Sequence, residues 1–311
     1  MGYKVHRIIL FGVLVGLLTR CIQVNKIKEA DFNPQEGVFI EADIKEQPIF
    51  DNHEIMIKAV FLDMNALAGP TLTFYGENLT DRDRLVTLKN CSVNNIMIEP
   101  AFEMRLNPMG TMTAEAIFPK QLLLTAGVET FSSISFMLHI AEAADRDKYI
   151  DSYHFNMLTS MSGSYEQKHE FTGSLIADTN GVKIMIGRKT DLETTLGNQI
   201  YIYIDNSLSE DIVVETKKVC VNGIELEPLF ISTVGAGKKC WALLTFRDSE
   251  IVEHGIVNIS ELTISFRVLY IFGVIIDTDD NRFIFDNEEN SNTLSKHGTE
   301  FQTTAVSLSG A

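Results

Sequence analysis

The chain has 311 residues, 45% of them hydrophobic and 22% charged, with a formal net charge of −16. That apolar content excludes a disordered chain, because it suffices to bury sizeable cores. The acidity argues against nucleic acid as a partner, since such binding relies on Lys and Arg displacing counterions from phosphates.

The opening residues carry Lys4 and Arg7 ahead of an uninterrupted apolar run over residues 8–18. A run of that length fits a signal peptide and is short for a membrane span. Residues 1–21 are therefore expected to be an export signal, followed by a polar linker over 22–47. Leu18, Thr19, Arg20 and Cys21 resemble the lipobox of bacterial lipoproteins, which implies lipidation at Cys21 and a membrane tether through the N-terminus. Arg20 departs from the small residue that the family's peptidase takes before the cysteine, so the expectation is an extracytoplasmic protein, either membrane-anchored or secreted.

A repeat organises the rest. Residues 69–102 and 197–230 align without a gap, placing Tyr75 on Tyr203, Asn78 on Asn206, Asn94 on Asn222 and Glu99-Pro100 on Glu227-Pro228. The surroundings extend the match, and the expected units are residues 48–158 and 171–306, joined by a polar linker over 159–170. In each unit two short apolar runs flank a polar turn, with Asn180-Gly181 a strong hairpin signal. Ile200, Ile202 and Ile204 alternate with Tyr201 and Tyr203, the period of a strand with one buried face. Both units then turn at an Asn (Asn78, Asn206), run through a Val-rich strand and turn again at Asn94-Asn95 or Asn222-Gly223.

A later strand carries Met112, Ala114, Ala116 and Phe118 against Cys240, Ala242, Leu244 and Phe246, which are expected to face inward. Trp241 and Leu243 then face outward. A short helix follows in each unit, over 119–126 and 248–254, closed by Gly127 and Gly255. The fold class expected is all-β: two tandem immunoglobulin-like antiparallel β-sandwiches, each with one short helix.

The Asn-containing turn, Val221-Asn222-Gly223, Pro228, Gly237-Lys238, the helix ending at Gly255, Ile264 to Phe266 and the Asp-rich turn at Asp277 resemble an uncharacterised repeat module of Gram-positive surface lipoproteins. The resemblance implies an immunoglobulin-like fold and a surface location. It brings no catalytic residues, because its motifs are turn and core residues.

Candidate chemistry is sparse. Asp277, Asp279 and Asn281 alternate like calcium ligands, with Glu288 at the distance of a bidentate carboxylate, but Arg282 fills the slot that needs glycine. Asp145 and Asp147 are all that the first unit offers there. Gly235, Gly237 and Lys238 lack the spacing of a phosphate loop and are expected to form a hairpin turn. The seven histidines show no metal-ligand spacing, and no nucleophile has a nominated base. Neither a cofactor nor a metal is expected. Cys220 and Cys240 are expected as packed free thiols, with a bridge between them the alternative.

The contact candidates are Trp241, Leu243 and Tyr270; for Trp241 the favoured alternative is packing on the linker or the other unit, and Tyr270 lies within a run over 268–276 that is apolar on both faces and expected to meet the other unit or a partner chain. The reading is a non-catalytic binding or structural module for a surface protein or polysaccharide. The alternatives are an envelope-polymer hydrolase with its site between the units, or a calcium-stabilised adhesin.

Overall fold

Apolar side chains at every second position make most of this chain strand. The first repeat contributes β1 (Gln47–Asp51), β2 (Ile55–Asp63), β3 (Thr71–Asn78), β4 (Arg84–Val93), β5 (Ile96–Met97), β6 (Met104–Leu106) and β7 (Gly110–Ile117). The helix α1 (Lys120–Thr125) follows, then β8 (Ser133–Glu142) and β9 (Asp145–Leu158). The second repeat contributes β10 (Ser174–Thr179), β11 (Val182–Lys189), β12 (Gln199–Asn206), β13 (Ile212–Val221), β14 (Ile224–Glu225), β15 (Ile231–Val234) and β16 (Lys239–Thr245). It ends with the helix α2 (Asp248–Glu253), β17 (Glu261–Tyr270), β18 (Gly273–Asp277), β19 (Asn281–Phe285) and β20 (Leu294–Lys296). This computed structural model describes residues 38–168, 171, 173–189, 199–285 and 294–296. The expected signal, Cys21, Glu288 and much of the linker over 22–47 lie outside the described residues.

Each repeat is a two-sheet sandwich. In the first, the sheet β1-β2-β3-β7 faces β5-β4-β8-β9, with β6 also on β4. In the second, β10-β11-β12-β16 faces β14-β13-β17-β19-β20, with β15 on β13 and β18 on β17. In order of appearance this is the A-B-E against C-F-G connectivity of an immunoglobulin-like sandwich, with β7 and β16 as strand E and the helix at the E–F crossing. The pairing is antiparallel throughout the described strands except between β16 and β5.

Alternation fills the cores. Ile200, Ile202 and Ile204 of β12 and Leu262, Ile264, Phe266 and Val268 of β17 are fully buried in the second repeat. Phe74, Phe118, Phe136 and Leu138 play that part in the first, Phe74 meeting Phe136 edge-on at 5.8 Å. Fully burying one such side chain is worth about 1.5–3 kcal/mol. At Gly69, a Cβ would lie 2.2 Å from the Phe118 carbonyl oxygen and φ is +129°, so only glycine lets these two backbone segments touch.

The residues that match between repeats are mostly staples. Asn78 and Asn206 are fully buried; the Asn78 amide donates to the carbonyls of Arg82, Leu106 and Asn107, and Asn206 to those of Glu210, Val234 and Gly235. Asn94 and Asn222 both adopt φ 51°, and each side-chain oxygen accepts from consecutive backbone amides, Ser132 and Ser133 or Ser260 and Glu261. Asparagine suits the position because it tolerates left-handed backbone and carries both a donor and an acceptor.

Two segments expected as loose connections are built into the fold. Within residues 40–46, the Ile40 amide donates to the Glu129 carbonyl and the Asp43 amide to the Ser160 hydroxyl, at 2.8 and 2.9 Å. In the expected linker over 159–170, Gln167 is buried and its amide donates to the Gly127 carbonyl at 2.8 Å. The described residues from Ile40 onward form one compact unit; of the other unit, Met1–Phe39, only residues 38 and 39 are described. No described helix is long and apolar enough to cross a membrane.

Candidate functional site

The structure gathers its unusual chemistry where the repeats meet. There β5 of the first repeat pairs in parallel with β16 of the second, Ile96 beside Lys239 and Met97 beside Cys240, so that one nine-stranded sheet runs through both. The Lys239 amide donates to the Asn95 carbonyl at 2.9 Å. Lys238 reaches across the seam, its Nζ donating to Asn95 Oδ1 at 3.1 Å and to Ser135 Oγ at 3.0 Å. Ile96 is fully buried, and Met97 packs against the core of the second repeat, its sulfur 3.2 Å from the Gly235 amide.

Titratable groups cluster at this seam, and burial dominates each shift. Burial pushes the Cys91 thiol well up, with the Glu99 carboxylate adding to it. The Glu99 carboxyl is itself pushed up by desolvation, although the residue as a whole is exposed and its Oε1 accepts the Cys91 amide at 3.0 Å. The Cys240 thiol is raised by burial to about 11, with a smaller contribution from Glu99, and the Lys238 amine is lowered by burial alone. Every one of these shifts favours the neutral form. A thiol raised this way is a packed side chain rather than an activated nucleophile.

The contact candidates separate. Trp241 does sit on the outer face of its sheet, yet it is buried: Tyr203 meets it edge-on at 4.8 Å, and Phe171 stacks on Tyr203 at 5.0 Å. Phe171, which arrives just past the linker, covers it, so of the two readings of an outward-facing tryptophan the packed one is what the structure has and Trp241 offers no exposed contact surface. Leu243 remains partly exposed on the same strand. Tyr270 lies on β17 in the opposite sheet, so the three residues do not form one surface.

The run over 268–276 is not one strand between the repeats. It folds into a hairpin, β17 to β18, whose tip exposes Ile271 (76%) and Phe272 (78%), with Tyr270 edge-on to Phe272 at 5.4 Å. Gly273, at φ +137°, permits the reversal.

The acidic turn is held by cations of the chain. Lys217 Nζ lies 2.6 Å from Asp277 and Lys218 Nζ 2.9 Å from Asp280, with Arg267 3.7 Å from Asp277. Among the described residues no three His, Cys, Asp or Glu side chains converge as a metal site. Cys91, Cys220 and Cys240 are free thiols; Cys220 and Cys240 stand on strands of different sheets. Arg84, where the second repeat has Ile212, is buried with its Nε and Nη1 making no hydrogen bond to the described residues.

No signal in the sequence marked Asn95, Met97, Ser135 or Lys238 as residues of a seam. Lys238 was legible only as a turn residue, and Asn95 only as the less favourable match to Gly223.

No protein-family model matches the chain, and no curated protein matches it. Among solved structures, the chain overlaps the YadV chaperone at 9% identity and TM-score 0.21, over 74% of this chain and 99% of that one. It overlaps a Salmonella enterica SafA pilin–SafB chaperone complex at 11% identity and TM-score 0.18, over 69% and 89%. The Pseudomonas aeruginosa CupB2 chaperone gives 11% identity and TM-score 0.18, over 68% and 90%. Overlap at this level assigns no function to the chain.

Proposed function

We propose that this protein is an exported, non-catalytic structural or binding module of the bacterial cell surface, tethered or released at its N-terminus. The observation that carries the reading is the use made of the duplicated residues: Asn78 and Asn206, and Asn94 and Asn222, are spent on turns and strand ends, and the titratable groups at the seam are pushed toward neutrality. Such a molecule is a stiff body that presents surfaces. Lys4 and Arg7 before the apolar run over 8–18 supply the route outward, and Cys21 supplies a lipid attachment point. A surface protein or polysaccharide is the partner class, met first at the exposed Ile271-Phe272 tip.

The test is to express the full chain in a Gram-positive host, fractionate, and treat intact cells with protease. The reading requires the protein to be digested on intact cells, with the Cys21→Ala variant shifting from membrane to medium if the anchor is lipid. Retention of the full-length chain in the cytoplasm would overturn it.

A further inference from the structure

Among the described residues the seam has two counterparts without a partner strand. Because the halves are repeats, the strand that receives β5, namely β16, corresponds to β7, and the hairpin that supplies β5 corresponds to the β13–β14 hairpin. In the described residues β7 pairs with β3 on one side and, on the other, only through the Ala101–Ile117 bridge at its far end. The matching bridge in the second repeat is Leu229–Thr245, so the two E strands are bonded alike except where β5 lies on β16.

The uncovered end of β7 looks like an interface without its partner. Met112 was expected to face inward with Cys240, but it is 41% exposed, and Met109 beside it is 70% exposed. Neither Lys nor Pro guards this edge, and its residues from Thr111 to Thr113 are uncharged, although such devices usually keep an open strand from pairing. At the other extreme, Asn222-Gly223 has the same left-handed turn as Asn94-Asn95, with φ of 51° and 82° against 51° and 66°. Ile224 stands in the place of Ile96, and Ser265 in the place of Ser135.

We infer that a second copy of this chain docks its β13–β14 hairpin on the β7 edge of the first, repeating between molecules the parallel pairing that joins the repeats within one. The Thr111 amide takes the part of Lys239, donating to the Gly223 carbonyl of the second copy; Ile224 then lies beside Thr111 as Ile96 lies beside Lys239, and Glu225 beside Met112 where the seam has Met97 beside Cys240. The contact is heterologous, so it leaves a free edge and a free hairpin at the two ends and builds open head-to-tail chains. It lacks the side-chain lock, since Gly110 replaces Lys238 and Gly223 replaces Asn95. Short pairing without that lock makes the association weak and reversible. The inference deepens the structural-module reading and rests on it for its purpose; association is measured on purified protein, so its failure would leave the cell-surface test untouched.

The experiment is sedimentation of the full-length chain in mild detergent, which keeps the apolar N-terminal run dispersed, across a concentration series up to about 1 mM. The mean mass should rise with concentration. Thr111→Pro removes one outward amide from an edge strand, where proline is tolerated, and should give a monomer with a near-native melting temperature. Ile224→Asp should do the same from the opposite surface. Gly110→Lys with Gly223→Asn restores the lock at positions whose backbone accepts it and should lower the association concentration about tenfold. A wild-type chain that stays monomeric throughout overturns the proposal, whatever the double variant does. Association that Thr111→Pro and Ile224→Asp both leave intact overturns it as well.

Discussion

β16 and β7 are the same strand of a repeat in two settings, and the difference between them is instructive. Covered by β5, β16 carries Cys240 half-buried, its thiol pushed up to about 11, and its neighbour Lys238 is drawn into a half-buried position with a lowered amine. Uncovered, β7 leaves Met112 in solvent at the matching position. The inward-facing positions are apolar in both strands, Met112, Ala114 and Ala116 against Cys240, Ala242 and Leu244; a clear difference at this end is whether another backbone lies alongside. Burial at a sheet edge is thus a property of the neighbour as much as of the strand.

The largest effect should come from breaking the covered side. Ile96→Asp places an unpaired carboxylate in a fully buried position and should cost more than about 3 kcal/mol, splitting calorimetric unfolding into two transitions as the repeats uncouple. The same change at its counterpart Ile224, which is only partly buried, should cost about 1 kcal/mol and leave one transition. A single transition for Ile96→Asp at unchanged midpoint would mean that the seam does not couple the halves.

Next in size, Asn78→Ala and Asn206→Ala each strand several buried carbonyls and should each cost about 2–3 kcal/mol in denaturant unfolding. The two should agree closely, because the staple is identical on the covered and uncovered sides. A large disparity would show that the seam, rather than the turn, sets the value of the asparagine.

A subtler probe is the pH dependence of the seam. With its carboxyl pushed up chiefly by burial, folded Glu99 holds its proton to higher pH than the unfolded chain does. Ionised Glu99 therefore costs stability above its folded pKa, and the cost fades as pH falls through that value toward the unfolded one near about 4.3. Because Glu99 is exposed and partly screened by solvent, Glu99→Gln should raise the melting temperature only slightly at pH 8, with the gain shrinking toward pH 4. A gain independent of pH would point to packing instead.

The smallest effect is expected far from either edge. Phe272→Ser at the exposed hairpin tip should change stability by no more than about 0.5 kcal/mol, while removing the surface on which a partner would first land. Unchanged binding of that variant to intact envelope material would move the contact elsewhere.

Strands and hairpins were readable because each carries a local signal. Ile200, Ile202 and Ile204 declare a period of two, Asn180-Gly181 adopts the paired left-handed angles a tight hairpin needs, and Gly127 and Gly255 close the helices. The facing of Trp241 was readable too, from its alternation with Cys240 and Ala242. That something would cover it was readable from the cost of exposing so large a ring, but that Phe171 does so was not, since Phe171 is distant in sequence and nothing local announces it. The run over 268–276 misled because apolar content was weighed above Gly273, the residue that turns the chain. The seam was invisible for a deeper reason. β5 contributes two residues, Ile96 and Met97, and the Lys238–Asn95 bond joins residues far apart, so neither periodicity nor composition marks them.

The central claim is that one edge is covered and its counterpart open, and amide hydrogen exchange at Lys239 and Thr111 reads it most directly. At a concentration well below any self-association, the Lys239 amide should exchange slowly, protected by its bond to Asn95, while the Thr111 amide exchanges at close to the rate of an unbonded one. Fast exchange at both positions would contradict the account, because the repeats would then be separate bodies with no shared sheet.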